Sequence, residues 1–493
     1  MIPIRIFADE HLISPTVEHL QAFGFEKVVP VDPITEVESA PAPVRIVVDA
    51  QGIRVMPDWF NNSLPVLFPG QLPNTREHLL TLVMFYSGLT EDALNMSKDT
   101  ELNELITEMI FPSDKGKWLE SFFTGHNLWH NRAVLEFYMG VTSVASAEEL
   151  FKMALAEEVS SELKAYSAWH YSIFLQDRGN NQEAYDLLTG YVLMDKLEEA
   201  ARKALQFEQI RCLKELKGHQ MAGDDLIAYK ALIWDVYTYY RELNATLLEA
   251  QLCREMALVA QMEGSFSEAL GYINKCIHVY LAEQLPEMEA DAYMLKGTLL
   301  HQWAKTGAPQ FFQQSINSYQ KALHVFKKEA TPHLFAHIHH QLGVLYAEMP
   351  EENQKRALWA AVSATSFKEA LEFYNADNFP WDYAMVCHNY ATALMKYPDA
   401  VRSDNVAKAI GLFEEALKIR TDEVPHERCV SLLNYLEASW EAENVNDVIE
   451  KARIKDMQDK ALEAFSLAPN DELKERARQH LDSINQVLEE VTV

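Results

Sequence analysis

The sequence predicts a mainly α protein, a right-handed solenoid of paired helices preceded by a small α+β domain. Three observations carry this reading. A small residue recurs within first helices at Gly297, Gly343 and Ala391, 46 and 48 residues apart, and Leu436 follows 45 residues later. Apolar residues in the stretches between recur at helical intervals: Ala409, Ile410, Phe413, Ala416 and Leu417 form the i, i+1, i+4, i+7, i+8 stripe of one face. The first 70 or so residues break this pattern, with period-two alternation and prolines scattered from Pro33 to Pro73.

Taken in order, Ile4 to Phe7 alternates as a strand, and Glu26 to Val31 is a second candidate interrupted by Pro30. Val44 to Asp49 and Ile53 to Met56 read as a hairpin with Gly52 in its turn. Thr16 to Phe23 is the expected short helix between strands. From Thr75 the pattern turns helical: Arg76 to Tyr86 is one helix ending near Gly88, and Thr90, Thr100 and Ser113 are candidate N-caps. Ser146-Ala147-Glu148-Glu149 reads as a capping box. The aromatics of this connector, Phe122, Phe123, Trp129, Phe137 and Tyr138, are expected to pack between helices. The array is expected to begin near Ala165, with Gly179 in the first turn. One or two long helices follow over 195–242, where Trp234, Tyr237 and Arg241 share a face.

Second helices are read at Ala269-Leu270-x-x-Ile273, Ser315-Ile316-x-x-Tyr319, Ala370-Leu371-x-x-Tyr374 and Ala409-Ile410-x-x-Phe413. Their spacing wanders, which implies loops of varying length. Ser265-Phe266-Ser267-Glu268 and Ser366-Phe367-Lys368-Glu369 look like matched capping boxes, each opening a second helix. Asn470 to Leu488 is a polar amphipathic helix suited to covering the end of a stack. The expected division is 1–74 (α+β domain), 75–160 (helical connector), 161–469 (repeats) and 470–493 (capping helix).

These small first-helix residues, followed by apolar second helices, resemble tetratricopeptide repeats. The period exceeds the usual length of about 34 residues, which places ten or so extra residues in the loops. Pro380-Trp381-Asp382-Tyr383-Ala384-Met385 before Asn389-Tyr390-Ala391 looks like the long-loop arrays found beside bacterial caspase-like domains. The resemblance implies a TPR-like α-solenoid that binds protein or peptide in a concave groove lined by first helices. Its groove-facing polar candidates are Asn389, Gln341, His340, Lys296 and Asn434. Asn389 matches best, because an asparagine there commonly clamps a peptide backbone; Gln341 and Leu295 depart from that residue.

Composition narrows the partners. Asp and Glu outnumber Lys and Arg by 73 to 43, a net charge of −30. Phosphate backbones are repelled by such a surface, so nucleic acid is excluded as the expected partner, and proteins or peptides, basic ones among them, remain. No apolar run reaches 18 residues, and the N-terminus lacks the basic-then-apolar order of a signal peptide. Five scattered cysteines, an odd number, read as buried free thiols in a reducing compartment, which implies a cytoplasmic location.

No phosphate loop, GxGxxG or GxSxG motif is present, so no cofactor is expected. His333, His337 and His340 lie at i, i+4, i+7, with His339 alongside, and His126 and His130 repeat the i, i+4 spacing. The carboxylate of an HExxH site is missing from both, so packed or surface histidines without metal are expected. Asp9, Glu10, Asp49 and Asp58 are not distinguishable from solvated loop acids. The sequence therefore points to a non-catalytic scaffold or adaptor. A peptide-sensing regulatory subunit, or an enzyme with its activity in residues 1–160, are the alternatives.

Overall fold

The structure is a computed structural model that describes residues 4–36, 44–57, 59, 70–110, 129–139, 144–157, 159–195, 197–350, 355–397, 402–442 and 447–492. It forms two compact units, Met1–Glu249 and Ala250–Val493.

In the first unit, β1 (Ile4–Ala8), β2 (Val31–Pro33), β3 (Val44–Asp49) and β4 (Gly52–Met56) form one sheet in the order β2-β1-β3-β4. β1 runs parallel to both neighbours, and β3 and β4 form the antiparallel hairpin. The hairpin turns on Asp49, whose Oδ1 accepts the backbone N–H of Gln51 at 2.8 Å and of Gly52 at 3.2 Å. Gly52 has φ 139°, and a Cβ there would meet the Leu72 carbonyl oxygen at 2.3 Å, so only glycine fits. Two expectations shift. The helix α1 (Glu10–Gln21) starts six residues before Thr16, and the second strand follows Pro30 instead of spanning it. Proline cannot donate to a ladder and so stands at the start of this edge strand.

α2 (Arg76–Tyr86) falls as expected, with Thr75 Oγ1 accepting the His78 N–H at 3.2 Å. In α3 (Thr90–Met96) and α4 (Thr100–Ile110) the expected caps are already helical. Asp99 caps α4 instead, accepting from the backbone of Glu101 and Leu102. Its carboxylate outcompetes the Thr100 hydroxyl as acceptor. Ser146 is likewise inside α6 (Val144–Ala156) and not before it. Ser113, Phe122, Phe123, His126 and Asp58 lie outside the described residues.

α5 (Trp129–Met139), α6, α7 (Ser161–Asp177), α8 (Asn181–Val192) and α9 (Glu199–Lys217) share one core around Phe151, Tyr166, Trp169, Leu188 and Leu205. That core runs through the expected boundary at 160. Trp59 enters it, donating its indole N–H to Glu162 Oε1 at 2.8 Å, and Arg45 on β3 pairs with Glu198 at 2.6 Å. These buried contacts fasten the sheet to the helices. α10 (Gly223–Glu242) carries the expected aromatic face, with Trp234 edge-on to Tyr237 at 5.4 Å and Arg241 over the Tyr237 ring at 5.5 Å.

From α11 (Thr246–Met262) the second unit is a solenoid of pairs. They are α11 with α12 (Phe266–Ala282), α13 (Pro286–Lys305) with α14 (Phe311–Ala322), and α15 (Pro332–Glu348) with α16 (Arg356–Leu371). α17 (Pro380–Lys396) then pairs with α18 (Arg402–Ile419) and α19 (Pro425–Trp440) with α20 (Asp447–Leu467), and α21 (Asp471–Thr492) comes last. From α12 onward each helix packs on the next, and α12 meets α11 where Cys276 Sγ donates to the Ala250 carbonyl at 3.0 Å. Four first helices open on a proline at N1, Pro286, Pro332, Pro380 and Pro425, at intervals of 46, 48 and 45 residues. Proline suits that position because its missing N–H has no intrahelical partner anyway and its φ is already helical.

Within pairs the small residues are tight crossings. A Cβ on Gly297 would lie 2.7 Å from the Tyr319 ring, and one on Gly343 would lie 3.0 Å from the Phe367 ring. Ser315 Oγ donates to the Gly297 carbonyl, and Ser363 Oγ to that of Gly343, each at 2.6 Å. This corrects the repeat register. Ser363 and Phe367, not Ala370 and Tyr374, are the counterparts of Ser315 and Tyr319, and Ala409 and Phe413 are next. The intervals at Ser315, Ser363 and Ala409 are then 48 and 46. The same apolar stripe continues two turns further along α16, which displaced the reading by seven residues.

Ser366 therefore sits inside α16, its hydroxyl donating back to the Val362 carbonyl at 2.9 Å. Ser265 is at the N-cap of α12 but makes no side-chain cap. The extra repeat length also lies in the helices as much as in the loops: α15 has 17 residues and α16 has 16, together nearly the whole of an ordinary repeat of about 34. α21 is capped by Asn470, which accepts the Leu473 N–H at 2.9 Å, and buries Leu473, Ala477 and Ile484 against α19 and α20. The chain is thus mainly α, a tetratricopeptide-like solenoid with a small N-terminal α+β part.

Candidate functional site

The first helices of the second unit lie side by side, joined by polar pairs. Arg254 on α11 reaches Asp291 on α13 at 2.7 Å, and Gln261 reaches Gln302 at 2.8 Å. His301 on α13 meets Glu348 on α15 at 2.7 Å. His340 on α15 meets Asn389 on α17, Nδ2 to Nε2, at 2.8 Å. One repeat on, His388 on α17 stands 3.5 Å from Asn434 Nδ2 on α19, which also donates to Thr392 Oγ1 at 3.3 Å. A histidine thus meets a carboxamide at the last two of these junctions.

The two imidazoles are buried. His340 is 2% exposed and His388 8%. Burial, helped by neighbouring His337, pushes His340 down to about 3, and burial with the Arg420 charge does the same to His388. Both are neutral imidazoles at ordinary pH, able to accept an amide N–H while the carboxamide itself stays half-buried at the surface. Ser431 Oγ stands 3.0 Å from His388 Nδ1 and accepts from Arg420 at 2.6 Å, fixing the ring from behind.

Of the five expected residues, Gln341, Asn389 and Asn434 occupy matching places, each two residues before Gly343, Ala391 and Leu436. His340 lies behind that row, as support for Asn389. Lys296 stands apart. It is one residue out of this register, a rotation of about 100° on a helix, and its Nζ donates to Asn274 on the second helix α12 at 2.7 Å. Burial and nearby Lys321 lower its pKa.

The sequence reading missed His388, Thr392 and the Arg420–Ser431 brace. A signal was available: His340-Gln341 and His388-Asn389 repeat an imidazole followed by a carboxamide, 48 residues apart. The histidines at 333, 337 and 340 do not converge. His333 is exposed beside the Tyr374 and Phe379 rings, whereas His340 turns to Asn389. Among the described residues no group of three or more His, Cys, Asp or Glu is arranged to hold a metal ion, and no helix there is long and apolar enough to cross a membrane. All five cysteines are buried free thiols.

No protein-family model matches the chain, and no curated protein matches it. Among solved structures, the apo quorum sensor NprR from B. thuringiensis is 12% identical, covering 73% of this chain and 96% of its own, with a TM-score of 0.45. A human IFIT1 dimer with m7Gppp-AAAA is 16% identical, covering 84% and 90%, with a TM-score of 0.40. A signal-transduction ATPase with a tetratricopeptide repeat sensor, from Pyrococcus horikoshii, is 12% identical, covering 99% and 82%, with a TM-score of 0.36. At TM-scores below 0.5 these likenesses carry no argument about ligand or partner, and the repeat assignment stands on the chain's own helix pairs.

Proposed function

We propose that the chain is a non-catalytic scaffold or adaptor that binds a protein or peptide across the first helices of its second unit, in the cytoplasm. The observation that carries this is the row Gln341, Asn389 and Asn434, half-buried carboxamides at one register on three successive helices, two of them anchored by neutral buried histidines. A carboxamide both donates and accepts, so it pairs with an extended backbone irrespective of sequence. Anchoring from behind reduces the rotamer freedom lost on binding. The net charge of −30 favours partners with basic side chains.

Selection of random phage-displayed peptides on the full chain tests this. Peptides enriched by the wild type should be rich in Lys and Arg and should lose affinity with Asn389→Ala plus Asn434→Ala, helicity by circular dichroism being unchanged. Truncating a desolvated polar contact costs about 1–3 kcal/mol. Equal capture by the double variant places binding elsewhere.

A further inference from the structure

The lysine that stands outside the carboxamide row departs from the repeat in a second way. Lys296 is half-buried in the middle of α13, where the next three first helices carry Leu342, Tyr390 and Tyr435, all buried. Lys321 on α14 stands where the two second helices that follow carry Glu369 and Glu415. Positive charge thus occupies two positions that later repeats make apolar or acidic. Lys321 lies in the last turn of its helix, where a cation suits the dipole. Lys296 has no such reason, and an ammonium is a poor occupant of a position that packing fills with apolar side chains.

The two lysines meet on one face of α13. Lys321 Nζ donates to the Tyr293 hydroxyl at 3.1 Å and lies 4.6 Å from the centre of its ring. Tyr293 precedes Lys296 by three residues, which puts both on the same side of the helix. Lys296 Nζ donates to Asn274 Oδ1 on α12 at 2.7 Å. Burial first, and then the Lys321 charge, lower the pKa of Lys296. Among the described residues neither ammonium is paired with a carboxylate, whereas Lys328 is held by both Glu369 and Glu372. Glu289, the carboxylate on this side of α13, is seven residues from Lys296, about two turns. The approach is open along α12, because a Cβ on Gly271, one turn before Asn274, would have nothing within 4 Å.

The hydrogen-bonding capacity left in this cluster is one-sided. Asn274 Oδ1 and the Tyr293 oxygen each accept from a lysine. What remains is the Asn274 NH₂, the Tyr293 O–H and the other ammonium N–H groups, all of them donors. We propose that the cluster binds a phosphate group, with its oxygens among Lys296, Lys321, Tyr293 and Asn274. Two ammonium groups match the charge of about −1.5 to −2 that a phosphate monoester carries at pH 7. The net charge of −30 does not forbid this, because exposed charges more than about 8 Å away are largely screened at physiological ionic strength. The phosphate is either free or carried on a peptide side chain, which present the same chemistry. The proposal does not depend on the carboxamide row, whose own test uses Asn389 and Asn434.

Competitive labelling of the full chain with trace acetic anhydride, read lysine by lysine in the mass spectrometer, tests it. Inorganic phosphate, compared with sodium chloride at equal ionic strength, should protect Lys296 and Lys321 saturably and spare Lys328. Lys296→Gln should raise the phosphate concentration that half-protects Lys321 by about tenfold, as for a charged hydrogen bond at a partly desolvated group. Lys321→Gln should raise that for Lys296 by about two- to fivefold, because Lys321 is exposed. Circular dichroism should be unaltered in both variants. Half-protection by N-acetylphosphoserine amide at a lower concentration than by inorganic phosphate identifies a phosphorylated side chain as the occupant; an equal or higher concentration identifies free phosphate. Equal protection of Lys328, no protection of Lys296 and Lys321, or unchanged half-protection in both variants overturns the proposal.

Discussion

At the residue scale, two kinds of buried titratable group pull stability in opposite directions with pH. Glu162 is 5% exposed. Burial first, and then the neighbouring Glu198 carboxylate, raise its carboxyl to about 7, although Trp59, the Glu198 N–H and Arg45 work against this. A carboxyl whose folded pKa is raised holds its proton in the folded state after the unfolded chain has released it. Its stabilisation is therefore complete below the unfolded value of 4.5 and is lost as pH rises through 7. The expected loss is on the order of 3 kcal/mol. Glu162→Gln, a neutral acceptor for Trp59, should remove that slope, so wild-type stability in denaturant should fall relative to the variant between those two values. Parallel pH curves would show that Glu162 is ionised throughout. His340 and His388 behave in the opposite sense. Their folded pKa values lie below the ordinary 6.5, so their contribution is present above that pH and lost as pH falls toward 3.

At the element scale, the pairs are set by what meets at each crossing. Gly343 has no room for a side chain beside Phe367, and Ser363 hydrogen-bonds the Gly343 carbonyl from the facing helix. Gly343→Leu should overpack this crossing and cost about 1–3 kcal/mol, seen as a lower thermal midpoint; an unchanged midpoint would mean the crossing can open freely. The crossings were legible at Gly297 and Gly343 because only a small residue interrupts an otherwise large apolar stripe. The helix starts were less so. Ser366-Phe367-Lys368-Glu369 has the local pattern of a capping box, yet α16 begins ten residues earlier at Arg356. Serine inside a helix satisfies itself by bonding one turn back, so the pattern alone does not separate cap from interior. The N1 prolines of four first helices were a start signal the sequence reading missed; proline is favoured there and disfavoured in the positions that follow.

At the scale of the whole molecule, the proposed binding role expects charge to govern encounter and the first-helix row to govern residence. With a net charge of −30, association with a lysine-rich peptide recovered in the selection should slow as added salt shortens the Debye length from about 10 Å at 0.1 M toward about 3 Å at 1 M. Asn389→Ala should instead speed dissociation, because it leaves a desolvated backbone group unpaired. Stopped-flow measurement separates the two; a salt-independent association rate would discount steering. Substituting Glu414 and Glu415 on the second helix α18 should leave dissociation unchanged.

The sequence by itself determined the helix pairs, the period set by Gly297, Gly343 and Ala391, the hairpin on Gly52 and the excess negative charge. Each of these is local: a steric gap, a backbone conformation or a sum over residues. Only the tertiary structure decided which residues share the seam. His340 meets Asn389, and His388 meets Asn434, across helices 49 and 46 residues apart in the chain. It also moved Lys296 out of the row. A one-residue offset turns a helical side chain by about 100°, and neighbours across a repeat are fixed by packing that no single stretch of sequence contains.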